Sequence, residues 1–98
     1  MGNTLGAGAR RVDANQGDIV EALVAAGCSV VSTARMGGGF PDLVVGRGEI
    51  GRGPVFLLEV KSAKGRFTPL ERRFAARWRG NYQVVRTVED ALKAVGLL

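Results

Sequence analysis

The sequence predicts a small α/β sandwich: one mixed central sheet flanked by helices, in the order α-β-β-β-α-β-α. Three short Val- and Leu-rich runs, at Val30-Val31, Leu43-Val44-Val45 and Val55–Val60, follow one another across Gly-rich loops, as the strands of an antiparallel meander do. A helical pattern, Leu70, Phe74 and Trp78 at four-residue spacing, then leads to a fourth apolar run at Tyr82–Val85, which can return parallel to a central strand. A chain of 98 residues buries only about 60–65% of its unfolded surface, enough for one core and one domain.

Each element has a local reason. Residues 1–12 are Gly-rich and aperiodic and carry Arg10 and Arg11, so they are expected to form a flexible basic arm ahead of a single domain over residues 13–98. Asn15 is placed to cap the first helix with Asp18 at its third position; Ile19, Val20, Leu23 and Val24 recur at helical spacing until Gly27 stops it. Val30, Val31 and Thr33 mark a short strand within Cys28–Arg35. A loop through Gly37-Gly38-Gly39 follows, then Asp42 opens a strand that ends at Gly46, and a polar turn runs to Gly53. Val55–Lys61 is the strongest strand signal in the chain. Thr68-Pro69-Leu70-Glu71 reads as a helix start, with Pro in the first position and a capping-box Glu, and the helix is expected to end at Gly80. After the strand Tyr82–Val85, Thr87 caps a last helix whose apolar side is Ala91, Leu92 and Val95.

Composition excludes much. The chain has no histidine, which removes Ser-His-Asp and Cys-His nucleophiles, imidazole zinc sites and histidine-based acid–base chemistry. A single cysteine, Cys28, excludes an internal disulfide and paired-cysteine metal or redox sites, and it reads most simply as a small buried residue. Any catalysis must use carboxylates, lysines and hydroxyls, with or without a hard metal. The longest apolar stretch, Ile19–Ala34, is broken by Glu21, Gly27 and Ser29, so no membrane span is expected. Gly6 stands where a myristoylation pattern needs Ser or Thr, and no secretory signal pattern is present. The expected compartment is a reducing cytoplasm.

The net charge of +5 is concentrated. Residues 61–79 hold seven basic side chains (Lys61, Lys64, Arg66, Arg72, Arg73, Arg77, Arg79) and one acid, Glu71, a local +6; the remainder carries seven basic and eight acidic residues, a net −1. A one-sided basic stretch interleaved with Phe67 and Trp78 is the footprint of a phosphate-backbone binder, the plainer reading being a solvated helix face.

Gly46-Arg47-Gly48-Glu49-Ile50-Gly51 matches the GxGxxG dinucleotide fingerprint, but Arg52-Gly53-Pro54 leads into a strand where the fingerprint requires a helix. The glycines are better explained as positive-φ positions in a long hairpin loop.

The chemistry lies at the other end of that hairpin. Aligning the apolar runs Leu43–Gly46 and Val55–Leu58 puts Asp42 opposite Glu59, with Lys61 two residues further on the same strand face. Like charges directly across a sheet repel, so a cation is expected between them. Two converging carboxylates beside an ammonium suit a hard divalent ion such as Mg²⁺, its shell completed by water and a phosphate oxygen. The plainer alternative makes Asp42 a turn residue after Pro41 and Glu59–Lys61 an edge-strand ion pair. Two charges ending the most apolar strand of the chain are an odd place for solvated decoration.

Pro41-Asp42 followed by Glu59-Val60-Lys61 at the close of a hydrophobic strand resembles the PD-(D/E)xK nuclease superfamily. The resemblance is closer to the small stand-alone VRR-NUC nucleases, phage and bacterial relatives of archaeal Holliday-junction resolvases. Gly38-Gly39-Phe40-Pro41-Asp42-Leu43-Val44-Val45-Gly46 is similar to their Gly-x-x-Pro-Asp strand, and Phe67-Thr68-Pro69-Leu70-Glu71 stands where they carry a Leu-Ser-Pro-x-Gln helix start. Val84-Val85 and Thr87-Val88-Glu89-Asp90-Ala91 are similar too, so the likeness runs from about Asp13 to Val95. The resemblance implies a restriction-endonuclease-like core and a metal-dependent DNA endonuclease, a Holliday-junction resolvase or nickase working in a bacterial or phage-infected cell. Asp42, Glu59 and the Val60 backbone carbonyl would hold Mg²⁺ or Mn²⁺, and Lys61 would orient and help deprotonate the attacking water. Arg35, Lys64, Arg66, Arg72, Arg73 and Arg77 would contact DNA, with Arg35 equally readable as a surface arginine.

Two positions depart from that pattern. Many relatives carry another acid about eleven residues before the glycine that ends the first helix, where this chain has Gln16. Gln16 is either a carbonyl donor to the metal site or a first-turn polar residue; the alternatives are that Asp13 or Glu21 substitutes for the acid, or that the site holds a single metal. Glu71 replaces the usual glutamine, and a capping box accounts for it without a catalytic role. Symmetric cutting of a four-way junction needs two sites, so a homodimer is expected, with Leu97 and Leu98 as candidate contacts. The competing function is a nuclease-fold module that binds nucleic acid without cutting it.

Overall fold

A computed structural model describes residues 14–98; the expected arm, with Arg10 and Arg11, and the first domain residue, Asp13, lie outside the described residues. The elements follow the expected order: α1 (Ala14–Ala25), β1 (Ser29–Ser32), β2 (Leu43–Gly46), β3 (Val55–Val60), α2 (Pro69–Arg77), β4 (Tyr82–Val85) and α3 (Val88–Ala94). The strands form one mixed sheet in the order β1-β2-β3-β4. β1, β2 and β3 are antiparallel neighbours, and β4 joins β3 in parallel, with Leu57 beside Tyr82 and Val60 beside Val85. Among the described residues no helix is long and apolar enough to cross a membrane.

Side-chain alternation divides the sheet into two faces. One carries Leu43, Val45, Leu58 and Val85, which pack with Ile19 and Leu23 of α1 and Ala91 and Val95 of α3 into the core. Full burial of a leucine such as Leu43 or Leu58 contributes about 1.5–3 kcal/mol. The other face carries Val44, Leu57, Glu59 and Tyr82, and α2 lies over it, Phe74 touching Tyr82 and Phe40 at ring-centroid distances of 5.8 and 5.4 Å.

Three local expectations are revised. Asn15 does not cap α1: the helix begins at Ala14, and the Asn15 amide instead donates to the Lys61 carbonyl at 3.0 Å. Val24 turns outward and is exposed, so α1 presents only Ile19 and Leu23 fully to the core. Helix α2 ends at Arg77, with Trp78 as its extended C-cap, and buries none of its residues. Its Thr68–Glu71 capping box forms as expected. Gly48 and Gly51 take positive φ in the β2–β3 loop, which joins two antiparallel strands and opens no helix, unlike a nucleotide-binding turn. Gly39 has φ +85°, and a Cβ there would collide with the Leu70 carbonyl. This glycine therefore lets the β1–β2 loop close onto the start of α2.

Candidate active site

The antiparallel register pairs Leu43 with Leu58, and the next step outward sets Asp42 against Glu59, as the apolar runs predict. β3 is an inner strand and Glu59 is only 3% exposed, so Glu59 and Lys61 do not form an edge-strand ion pair. Pro41 and Asp42 are pinned by the residue that follows β1: the Thr33 N–H donates to the Asp42 carbonyl and the Thr33 hydroxyl to the Pro41 carbonyl, both at 2.7 Å. The Asp42 carboxylate accepts the Val60 N–H at 2.9 Å, which closes the ladder where β2 has run out. A turn residue would have no such anchorage.

Lys61 is fixed from three sides. Its N–H donates to the Val85 carbonyl at 3.0 Å, its own carbonyl accepts from Asn15, and its ammonium reaches two carboxylates. Nζ lies 3.5 Å from Glu59 Oε2 and 2.6 Å from Glu71 Oε1. That same Glu71 oxygen accepts the Thr68 N–H at 2.9 Å in the capping box. Glu71 thus serves the helix cap and the lysine together. Its place in the cluster escapes the sequence, where the capping motif already explains it; the one signal was an acid where the resembling family has glutamine.

The electrostatics follow from three carboxylates sharing one ammonium. Burial, then the charges of Asp42 and Glu71, push the Glu59 carboxyl up to about 8 despite Lys61. Burial also raises Asp42, against the Val60 N–H and a hydrogen bond with Glu59. Burial would lower Lys61, but its bond to Glu71 and the Glu59 charge outweigh this and raise it. Glu71 is pulled down, since its bonds to Lys61 and the Thr68 N–H overcome the effect of burial. Tyr82, half-buried beside these acids, is pushed up to about 12 by its desolvation and then by their charges.

Asp42 and Glu59 fit a hard divalent cation. They face one another with both carboxyls raised by burial, a crowding of like charge that a cation would relieve, and Mg²⁺ typically takes one or two carboxylates and keeps its waters. No group of three or more His, Cys, Asp or Glu arranged to hold a metal occurs among the described residues. Gln16 is buried against β1, its amide donating to Ser32 Oγ at 3.4 Å; its neighbour Asn15 is the α1 residue tied to Lys61. Glu21 is exposed.

The cations predicted to meet DNA are all exposed: Arg35 in the β1–β2 loop, Lys64 and Arg66 between β3 and α2, and Arg72, Arg73 and Arg77 on α2. None of them forms an ion pair among the described residues. Arg86 is different: its guanidinium holds the β3–α2 loop by donating to the Ser62 carbonyl at 2.5 Å and the Gly65 carbonyl at 3.0 Å. The ends of β1 and β3, the start of β2 and the start of α2 therefore gather at one rim of the sheet. In comparisons with protein-family models, curated proteins and solved structures, nothing matches this chain.

Proposed function

We propose that this chain is a metal-dependent DNA endonuclease that hydrolyses phosphodiester bonds at branched or nicked duplexes, as a junction resolvase or nickase does. The observation that carries the reading is the buried carboxylate of Glu59 facing Asp42 beside Lys61, at a rim bordered by exposed arginines and lysines. A pure phosphate binder gains nothing from two carboxylates turned toward its ligand.

Asp42 and Glu59 would hold Mg²⁺ or Mn²⁺, with the Val60 carbonyl as the third protein ligand. A bound divalent ion supplies a water of lowered pKa and neutralises charge on the phosphoryl oxygens. Lys61, held in place by Glu71, orients the attacking water and stabilises the charge that develops at phosphorus. Arg72, Arg73 and Arg77 take the phosphate backbone, and Arg35, Lys64 and Arg66 extend that contact along the rim. Two symmetric cuts in a four-way junction would call for a homodimer, to which exposed Leu97 and Leu98 are candidate contacts. Such an enzyme would act in the cytoplasm.

The test is a cleavage panel of four-way junction, flapped, nicked and linear duplexes with Mg²⁺ or Mn²⁺, run beside Asp42→Ala. The expected result is metal-dependent cutting that Asp42→Ala abolishes; cutting that survives the substitution, or none on any substrate, rejects the mechanism. Light scattering at working concentration, with and without junction DNA, checks the dimer. A second reading, a nucleic-acid-binding module without activity, is favoured by the lack of a third ligating side chain among the described residues, and it predicts binding with no cleavage in the same panel.

A further inference from the structure

Helix α2 has an outer surface that neither the core nor the carboxylate cluster uses. It buries no residue, and its apolar positions stay open: Leu70 is 49% and Trp78 45% exposed. Leu70, Arg73, Phe74, Arg77 and Trp78, together with Gly38 of the β1–β2 loop, line a groove of about 250 Å³. Its floor is aromatic. Phe74 and Trp78 stack at 5.3 Å with their planes 16° apart, and Phe74 rests in turn on Phe40 and Tyr82. Its wall is cationic, since Arg73 and Arg77 are exposed and have no ion-pair partner among the described residues.

A flat aromatic stack flanked by exposed guanidinium groups suits a ligand with a planar, uncharged ring next to an anionic link. An unpaired nucleotide has both, whereas bases inside a duplex are already stacked on one another.

We infer that this α2 groove binds an unpaired segment of a DNA strand, one base stacking on Trp78 while Arg73 and Arg77 hold its phosphates. The inference rests on the nucleic-acid reading above and narrows its substrate class to duplexes that carry a single-stranded flap, gap or branch. Charge complementarity with the local +6 of residues 61–79 favours this occupant over an apolar peptide.

Trp78 is the only tryptophan, so its fluorescence reports the groove directly. The wild-type protein, in EDTA so that DNA stays intact, is titrated with single-stranded DNA, a duplex bearing a short flap and a blunt duplex of equal length. Saturable quenching by the first two, with at least about tenfold tighter binding than to the blunt duplex, is expected. In fluorescence anisotropy with labelled DNA, Trp78→Ala should bring that preference close to one and Trp78→Phe should restore most of it. Equal quenching and affinity for blunt duplex, no quenching by any DNA, or a preference that survives Trp78→Ala would overturn the inference. Quenching without cleavage in the metal panel would reject the nuclease and leave the groove standing; cleavage without strand preference would do the reverse.

Discussion

Lys61 Nζ lies 2.6 Å from Glu71 Oε1 and 3.5 Å from Glu59 Oε2, so the lysine that ends the inner strand is held more closely by helix α2 than by its own strand. The Glu71 oxygen also accepts the Thr68 N–H, which links the first turn of the helix to the position of the ammonium. Glu71→Ala removes both bonds. It should cost about 1 kcal/mol of stability and slow cleavage by about tenfold or more. Glu71→Gln keeps an acceptor oxygen and should retain most of the stability and a larger share of the activity. Thermal melts and single-turnover rates separate the two; equal damage from both substitutions would assign the role to charge alone.

The raised Glu59 carboxyl fixes the direction of a pH effect. In the unfolded chain this group releases its proton near 4.5, and in the fold only near 8, so between those values the folded state binds a proton that the unfolded state has lost. Its stabilising contribution is complete below about 4.5 and is lost as pH rises toward about 8. Asp42, also raised, acts in the same direction, while the lowered Glu71 contributes above its ordinary value and loses that contribution in acid. The melting temperature in EDTA should therefore fall between about pH 5 and pH 8. Glu59→Gln should flatten that slope. Mg²⁺ at the alkaline end should raise the melting temperature of the wild type and not of Glu59→Gln.

Gly39 joins the β1–β2 loop to α2 without space for a side chain. At φ +85°, with the Leu70 carbonyl in the way of a Cβ, Gly39→Ala combines backbone strain with a clash. A destabilisation of about 1–3 kcal/mol is expected. Each kcal/mol lowers the melting point of a domain this size by about 4–8 °C. Gly37→Ala, with positive φ but no atom within 4 Å, should cost less. Comparison of the two melting curves isolates the clash.

The arginines of α2 should appear in the salt dependence of DNA binding. Each phosphate that is no longer neutralised reduces the slope of log affinity against log salt by about 0.9 on duplex DNA and about 0.7 on a single strand. Arg73→Ala combined with Arg77→Ala should thus lower the slope by about 1.4–1.8, measured by fluorescence anisotropy across a salt series with flapped DNA. A slope unchanged by the double substitution would assign the phosphate contacts to other cations.

The features readable in the sequence are those that depend on pattern. Leu43–Val45 and Val55–Leu58 can align their apolar runs in few ways, and each run is followed or preceded by an acid, so the register that faces Asp42 with Glu59 was written in the chain. Thr68 and Glu71 announce their helix because both halves of a capping box lie within four residues. The contacts of Asn15 with Lys61 and of Glu71 with Lys61 were not legible, because they depend on how α1 and α2 dock on the sheet. In both cases a sufficient local explanation, an N-cap or a capping box, hid the longer-range role. The spacing of Leu70, Phe74 and Trp78 indicated a helix face correctly but not its burial: only Phe74 sits in an aromatic cluster with the sheet, and the chain leaves the helix at Trp78.

The β2–β3 loop, residues 47–54, lies at the opposite end of its strands from Asp42 and Glu59, with Ile50 at its tip 98% exposed. Lengthening a surface loop costs little, about 0.6 kcal/mol for each doubling. That leaves the protein with a candidate active rim and an opposite one, on which a segment could be inserted or an affinity handle grafted while the carboxylate geometry stays as it is. A chain this small can thus change what it is attached to without changing its candidate chemistry.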